Sequence, residues 1–111
     1  MVARIRAAGL EPPSVEELAP EFGDETRQLL ALSTREGSLV QVEESRYYGA
    51  SSFEEIIGRI RRALASGAEL TPSQLKDALG VSRKYLIPLL EYCDRTGRTA
   101  RRGNGRVWTG G

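Results

Sequence analysis

Three residues in the second half of the chain, Gly80-Val81-Ser82, constrain the fold more than any other feature. They separate two helix signals and leave almost no chain to connect them. Before them, Thr71 is a good N-cap, Pro72 suits the first helical position, Gln74 completes a Thr-x-x-Gln capping box, and Leu70 and Leu75 stand at the positions of a hydrophobic staple. Gly80 ends that helix after about two turns, because only glycine takes the left-handed position without a steric cost. Ser82 is already the N-cap of the next helix, which must therefore leave at a steep angle. Such a pair is a helix-turn-helix.

The neighbouring segments complete the unit. Upstream, Phe53, Ile56, Ile57, Ile60 and Leu64 are spaced i, i+3, i+4, i+7 and i+11, which lays one apolar stripe along a helix. Ser52 and Glu55 read as its capping box, with Gly67 available to end it. Downstream, Tyr85, Leu86, Leu89, Leu90 and Cys93 form the buried stripe of the third helix, which is expected to end near Gly97. Pro88 removes the hydrogen bond to the carbonyl of Lys84 and predicts a bend, since the apolar stripe runs on past it. Asn104-Gly105 then lies between two short segments with strand character and predicts a hairpin turn whose two central residues have positive φ. Three helices followed by a hairpin make a winged helix.

The first half repeats the plan. Val2 to Ala8 reads as a first helix, and Ser14 and Glu17 as the capping box of a second with Leu18 and Phe22 inward. Gly23 and Asp24 stand in for Gly80 and Ser82, and Pro20 is expected to shorten the second helix. A third helix to about Arg35 buries Leu29 and Leu32 and stops at Gly37. Residues 38–42 and 46–48 form a hairpin in which Tyr47 and Tyr48 split, one in and one out. The expected fold is mostly α with small β-hairpins: two tandem winged-helix domains, residues 1–49 and 50–111, joined at about Gly49-Ala50-Ser51.

Composition then excludes function classes. Of 111 residues none is histidine, so there is no Ser-His-Asp or Cys-His relay and no zinc finger of the Cys/His kind. Neither Lys76 nor Lys84 lies in a phosphate-binding loop, and no metal or cofactor is expected. A binding module is expected, not an enzyme. The single cysteine, Cys93, has no partner for an internal disulfide and stands on the buried stripe, which points to an apolar filler in a reducing, cytoplasmic setting. No apolar stretch approaches the roughly 20 residues a bilayer requires.

The formal charge of +1 conceals an uneven distribution. Residues 1–58 hold 5 basic and 11 acidic side chains, a net of −6, whereas residues 59–111 hold 11 and 4, a net of +7. The positive share gathers at the start of the third helix, Arg83 and Lys84, and in the wing, Arg98, Arg101, Arg102 and Arg106, with Arg95 between them. A helix N-terminus adds free N–H groups suited to phosphate, so helix and wing are expected to present one phosphate-binding face. Tyr85 either stacks on an unpaired base or packs inward, and Trp108 is either core or stacking platform. The acidic first copy, with Asp24, Glu25, Arg27 and Gln28 on its third helix, is expected to act as a spacer or docking surface that does not bind nucleic acid.

The run LGVSRKYLIPLLEY (residues 79–92), followed by DRTGRT (94–99) and RRGNGRV (101–107), resembles the last winged helix of the selenocysteine-specific translation elongation factors in order and spacing. The resemblance continues more weakly through AGLEPPSVEEL (8–18), which is similar to the preceding winged helix of that family. It implies a C-terminal fragment of a GTPase that carries selenocysteinyl-tRNA to a ribosome translating an in-frame UGA. It also implies that the fragment holds the factor to an mRNA hairpin, the selenocysteine insertion sequence; a monomer is expected. On that resemblance Arg83, Lys84, Tyr85, Arg101, Arg102 and Arg106 inherit the RNA-contact role, and Arg95 and Arg98 join them on charge. An A-form stem hides its base edges, which favours arginines on the backbone and a loop or bulge base for sequence. The alternative is a DNA-binding winged-helix regulator. Pro88 and the lack of Asn or Gln along the exposed face of the third helix count against it.

Overall fold

A computed structural model describes residues 1–110. The chain is mostly helical with two small antiparallel sheets, an architecture consistent with a winged helix. It forms two compact units, Met1–Glu55 and Ile56–Gly111. The elements run α1 (Val2–Ala8), α2 (Val15–Phe22), α3 (Thr26–Arg35), β1 (Leu39–Glu43), β2 (Arg46–Gly49), α4 (Ala50–Ala63), α5 (Pro72–Leu79), α6 (Arg83–Arg95), β3 (Thr99–Arg102) and β4 (Gly105–Trp108). Helix α4 begins two residues before the expected cap, because β2 runs into it with no intervening residue.

In the first unit the Ser14 box forms as read: Ser14 Oγ accepts from Glu17 N–H, and Glu17 Oε1 accepts from Ser14 N–H. Ile5, Val15, Leu18, Leu30, Leu39 and Tyr47 make the core, with Met1, Val2 and Phe22 partly buried against it. Four expectations fail here. Pro20 lies inside α2, yet that helix is 8 residues long, as is α5, so it is not shortened. Gly23 does not lead directly into a helix cap at Asp24. A short 3-10 turn, Gly23–Glu25, comes between, closed by Thr26 Oγ1 donating to the Gly23 carbonyl at 2.6 Å, and α3 starts only at Thr26. That delay rotates the helix, so Thr26 and Leu30 face inward while Leu29 is half-buried and Leu32 is 45% exposed. Finally, β2 is buried along its length, so both Tyr47 and Tyr48 are inside.

The second unit follows its sequence signals more closely. Ile56, Ile57 and Ile60 of α4 and Leu64 just beyond it are buried, as is Phe53, the stripe residue that falls in the first unit. Thr71 Oγ1 accepts from Gln74 N–H at 3.2 Å and Gln74 Oε1 from Thr71 N–H at 2.9 Å, the reciprocal pair of a capping box. Gly80 closes α5 in the left-handed conformation, φ 70° and ψ 26°. Helix α6 then starts at Arg83 and continues unbroken through Pro88, with Leu86, Leu89, Leu90 and Cys93 fully buried. Burial pushes the Cys93 thiol up to about 11, with Arg98 pulling against that shift, so it is an inert filler at neutral pH.

The wing turns one residue earlier than Asn104-Gly105 predicts. Arg102 pairs with Gly105, leaving Gly103-Asn104 as the two-residue turn, with Gly103 at φ 59°. Glycine at the first turn position is the other favoured hairpin solution. Gly105 is glycine for a different reason. Leu70 and Arg106 exchange backbone hydrogen bonds of 3.1 and 2.8 Å, which draws a Cβ at position 105 to within 3.0 Å of the Leu70 carbonyl oxygen and of Glu69 Cγ.

Candidate nucleic-acid interface

Helical spacing decides which part of α6 faces outward. With Leu86, Leu89, Leu90 and Cys93 inward, the opposite stripe is Lys84, Pro88, Glu91 and Arg95, spaced i, i+4, i+7 and i+11. Tyr85 and Tyr92, seven positions apart, share one flank of that stripe and are both half-buried. At the N-terminus Arg83 and Lys84 are exposed, and Ser82 makes no side-chain capping bond. The first N–H groups of the helix have no partner inside it, which favours an anion there.

Arg83 and Arg95 are twelve positions apart, or about 18 Å along the axis. The basic residues therefore form two clusters. One holds Arg83 and Lys84, with the Lys84 ammonium 5.4 Å from the Tyr85 ring centroid. The other gathers where α6 meets the wing. There the guanidinium carbons of Arg95 and Arg98 lie 5.5 and 5.7 Å from the centroid of the Tyr92 ring.

Strand alternation divides the wing. Arg101 stands opposite Arg106 and shares a face with Thr99, so successive Arg102 points the other way. On the first face Asp94 of α6 is the meeting point. Its Oδ1 accepts from the Thr99 hydroxyl at 2.6 Å, and Arg106 donates to its Oδ2 from Nε at 3.1 Å and Nη2 at 3.0 Å. The Arg106 side chain is only 6% exposed, whereas Arg101, 3.8 Å from the same carboxylate, is 72% exposed. Arg106 thus differs from the other wing arginines: its fork is engaged with Asp94 and ties β4 to α6. Arg102 is exposed. Trp108 is half-buried with its Nε1 screened from solvent, which makes it packing.

Tyr92 is a residue beside these arginines that the sequence reading did not single out, although its i+7 relation to Tyr85 was a signal. Asp94 and Glu91 are expected from sequence to pair with Arg95 or Arg98; Asp94 instead finds its partners across the wing, in Thr99, Arg101 and Arg106. Glu91, Asp94, Arg95, Thr99, Ala100 and Arg101 line an open depression between helix and wing, so two acidic and two basic groups meet there. No helix among the described residues is long and apolar enough to cross a membrane.

A family model described as "Elongation factor SelB, winged helix" matches residues 62–108. The chain is 37% identical over 102 residues to the selenocysteine-specific elongation factors of Desulfomicrobium baculatum and Escherichia coli, covering 89% of its own length. It spans only about a sixth of those relatives, 16% and 17%. Its fold is similar to the mRNA-binding domain of elongation factor SelB from E. coli, solved in complex with SECIS RNA, at TM-score 0.80 and 34% identity, over 97% of this chain and 95% of that one. A bacterial selenocysteine-specific elongation factor is similar at TM-score 0.73 and 31% identity, over 88% of this chain and 16% of that one. With the helix-turn-helix, the wing and near end-to-end correspondence to one domain of that factor, the chain belongs to the selenocysteine-specific elongation factor (SelB) family.

Proposed function

We propose that this chain is the RNA-binding part of a selenocysteine-specific elongation factor and recognises a selenocysteine insertion sequence hairpin in mRNA during UGA recoding. The observation that carries this reading is the near-complete fold match to a domain solved with SECIS RNA. The charge agrees: the second unit holds 11 basic and 4 acidic residues. On this reading Arg83, Lys84, Arg95, Arg98, Arg101 and Arg102 hold phosphates on either side of a loop or bulge, and Tyr85 receives an unpaired base. Arg106 acts from inside, by setting the wing. The chain catalyses nothing itself, and GTP hydrolysis and tRNA delivery belong to other domains of the parent factor, in the cytoplasm and on the ribosome.

We read the chain as two winged helices in tandem, residues 1–49 and 50–111, so that α4, within which the two compact units divide, belongs to the second copy. Each runs helix, helix, helix, hairpin, and each secures its hairpin by a bridge to the residues before its second helix, Ser14 to Arg46 and Leu70 to Arg106. Each also buries an arginine on the second strand, Arg46 at 7% and Arg106 at 5% exposure. The acidic first copy serves as spacer or docking surface. Titrating the chain with an RNA hairpin and with a DNA duplex of equal length at one salt concentration tests the function. Tighter binding to the hairpin is expected, and preference for the duplex would overturn the reading.

A further inference from the structure

The flank of α6 that carries Tyr85 and Tyr92 repeats one arrangement, an aromatic ring with a cation beside it. At Tyr92 it is elaborated, since two guanidiniums share the ring. Arg95 comes from the last turn of the helix and Arg98 from the residue after Gly97, whose φ of 78° turns the chain back. The Arg98 backbone is pinned on both sides. Its N–H donates to the Cys93 carbonyl at 2.9 Å, and its carbonyl accepts from Thr109 and Gly110 at 2.9 and 3.0 Å. Its side chain is steered as well. Arg98 Nη1 donates to Thr96 Oγ1 at 2.8 Å, and that hydroxyl donates to the Tyr92 carbonyl at 2.9 Å.

A long arginine ordinarily loses rotamer freedom when it grips a phosphate, and pre-ordering lowers that cost. A guanidinium is a planar, rigid fork of N–H donors, so fixing one edge on Thr96 fixes the direction of the whole group. From this we infer that Tyr92 is a positioning residue of the interface. Its ring, helped by the Thr96 hydroxyl, pre-orders Arg95 and Arg98 as a two-armed clamp for the phosphodiester backbone of RNA. Tyr92 acts through these arginines and makes no base contact itself. The inference rests on the RNA-binding reading and gives it a residue that charge counting overlooks.

The test is a hairpin titration of the whole chain with Tyr92→Phe, Tyr92→Leu, Arg95→Ala, Arg98→Ala and the Leu-with-Ala double variants, alongside Arg83→Glu/Arg102→Glu. Exposed cation–π contacts are individually modest, so Tyr92→Leu is expected to weaken binding by about three- to tenfold and Tyr92→Phe by less than about twofold. In the Leu background each Arg→Ala change should weaken binding less than in the wild type, the sign of coupling. Undiminished Arg→Ala effects there, or wild-type affinity of Tyr92→Leu, overturn the positioning role. If Tyr92→Leu does not fold, the cycle of Thr96→Val with Arg98→Ala decides in the same way. If Arg83→Glu/Arg102→Glu binds the hairpin as tightly as wild type, the RNA reading itself has failed, a result separate from any behaviour of Tyr92.

Discussion

Asp94 and Arg106 show how one residue's role depends on the side of a strand it occupies. Arg101, Arg102 and Arg106 look alike in sequence, yet only Arg106 is folded away against a carboxylate. Removing one partner of such a pair leaves the other poorly compensated, at a cost of about 3 kcal/mol. Arg106→Ala is thus expected to lower unfolding free energy in urea by about that amount, whereas Arg102→Ala should change it by less than about 0.5 kcal/mol. The reverse ranking would remove Arg106 from the frame of the wing. No pattern of charges reveals this, because the Asp94 partners lie across a hairpin whose register depends on where it turns.

Cys93 gives a pH test at the same scale. Its folded pKa is raised from 9.0 to about 11 by burial. The associated stability is fully present below about pH 9 and is lost as pH rises toward 11, because the unfolded chain gives up the thiol proton first. Comparing wild type with Cys93→Ala isolates the contribution, expected to reach about 2–3 kcal/mol at pH 11. Iodoacetamide should label Cys93 only in denaturant. Rapid labelling of the native protein at pH 8 would contradict its burial.

At the scale of elements, caps were the most legible features. Two of the three boxes read from sequence, Ser14 with Glu17 and Thr71 with Gln74, form as indicated, because each needs only its own four residues; the third, Ser52 with Glu55, falls inside α4, which already starts at Ala50. Ser82 differs, being an N-cap by position whose hydroxyl makes no capping bond. Thr71→Ala is therefore expected to cost about 1 kcal/mol and Ser82→Ala clearly less, by thermal or urea unfolding. Equal losses would mean that Ser82 caps α6 after all. The misread elements depend on something distant. The inward face of α3 was misjudged because an extra 3-10 turn delays its start, and the wing turn moved because the Leu70–Arg106 bridge reserves Gly105. Gly105→Ala should cost about 1–3 kcal/mol, since Leu70 backbone must shift to admit a methyl group.

At the scale of the whole molecule, charge was legible at once and its use was not. Net charges of −6 and +7 fall to the two units without exception, because residues 56–58 are uncharged. The two gatherings of candidate cations, about 18 Å apart along α6, were legible too, since helical rise converts their spacing into distance; what was not is which rings and carboxylates hold them. The sequence did not show that one of these arginines, Arg106, faces inward. Six candidate phosphate contacts remain, at both ends of a helix whose middle exposes Glu91. A ligand must reach both clusters to use them, which suits a folded hairpin better than a short single strand.

The most direct measurement is the affinity of the whole chain for a UGA-adjacent mRNA hairpin across a salt series, with and without Arg83→Glu/Arg102→Glu. Neutralising four to six phosphates predicts a slope of log K against log salt of roughly −3 to −5. The double reversal, one residue from each cluster, should weaken binding at least about a hundredfold at low salt and flatten the slope. A slope near zero, or hairpin affinity unchanged by the reversal, would contradict the assignment of α6 and the wing as the RNA-binding surface.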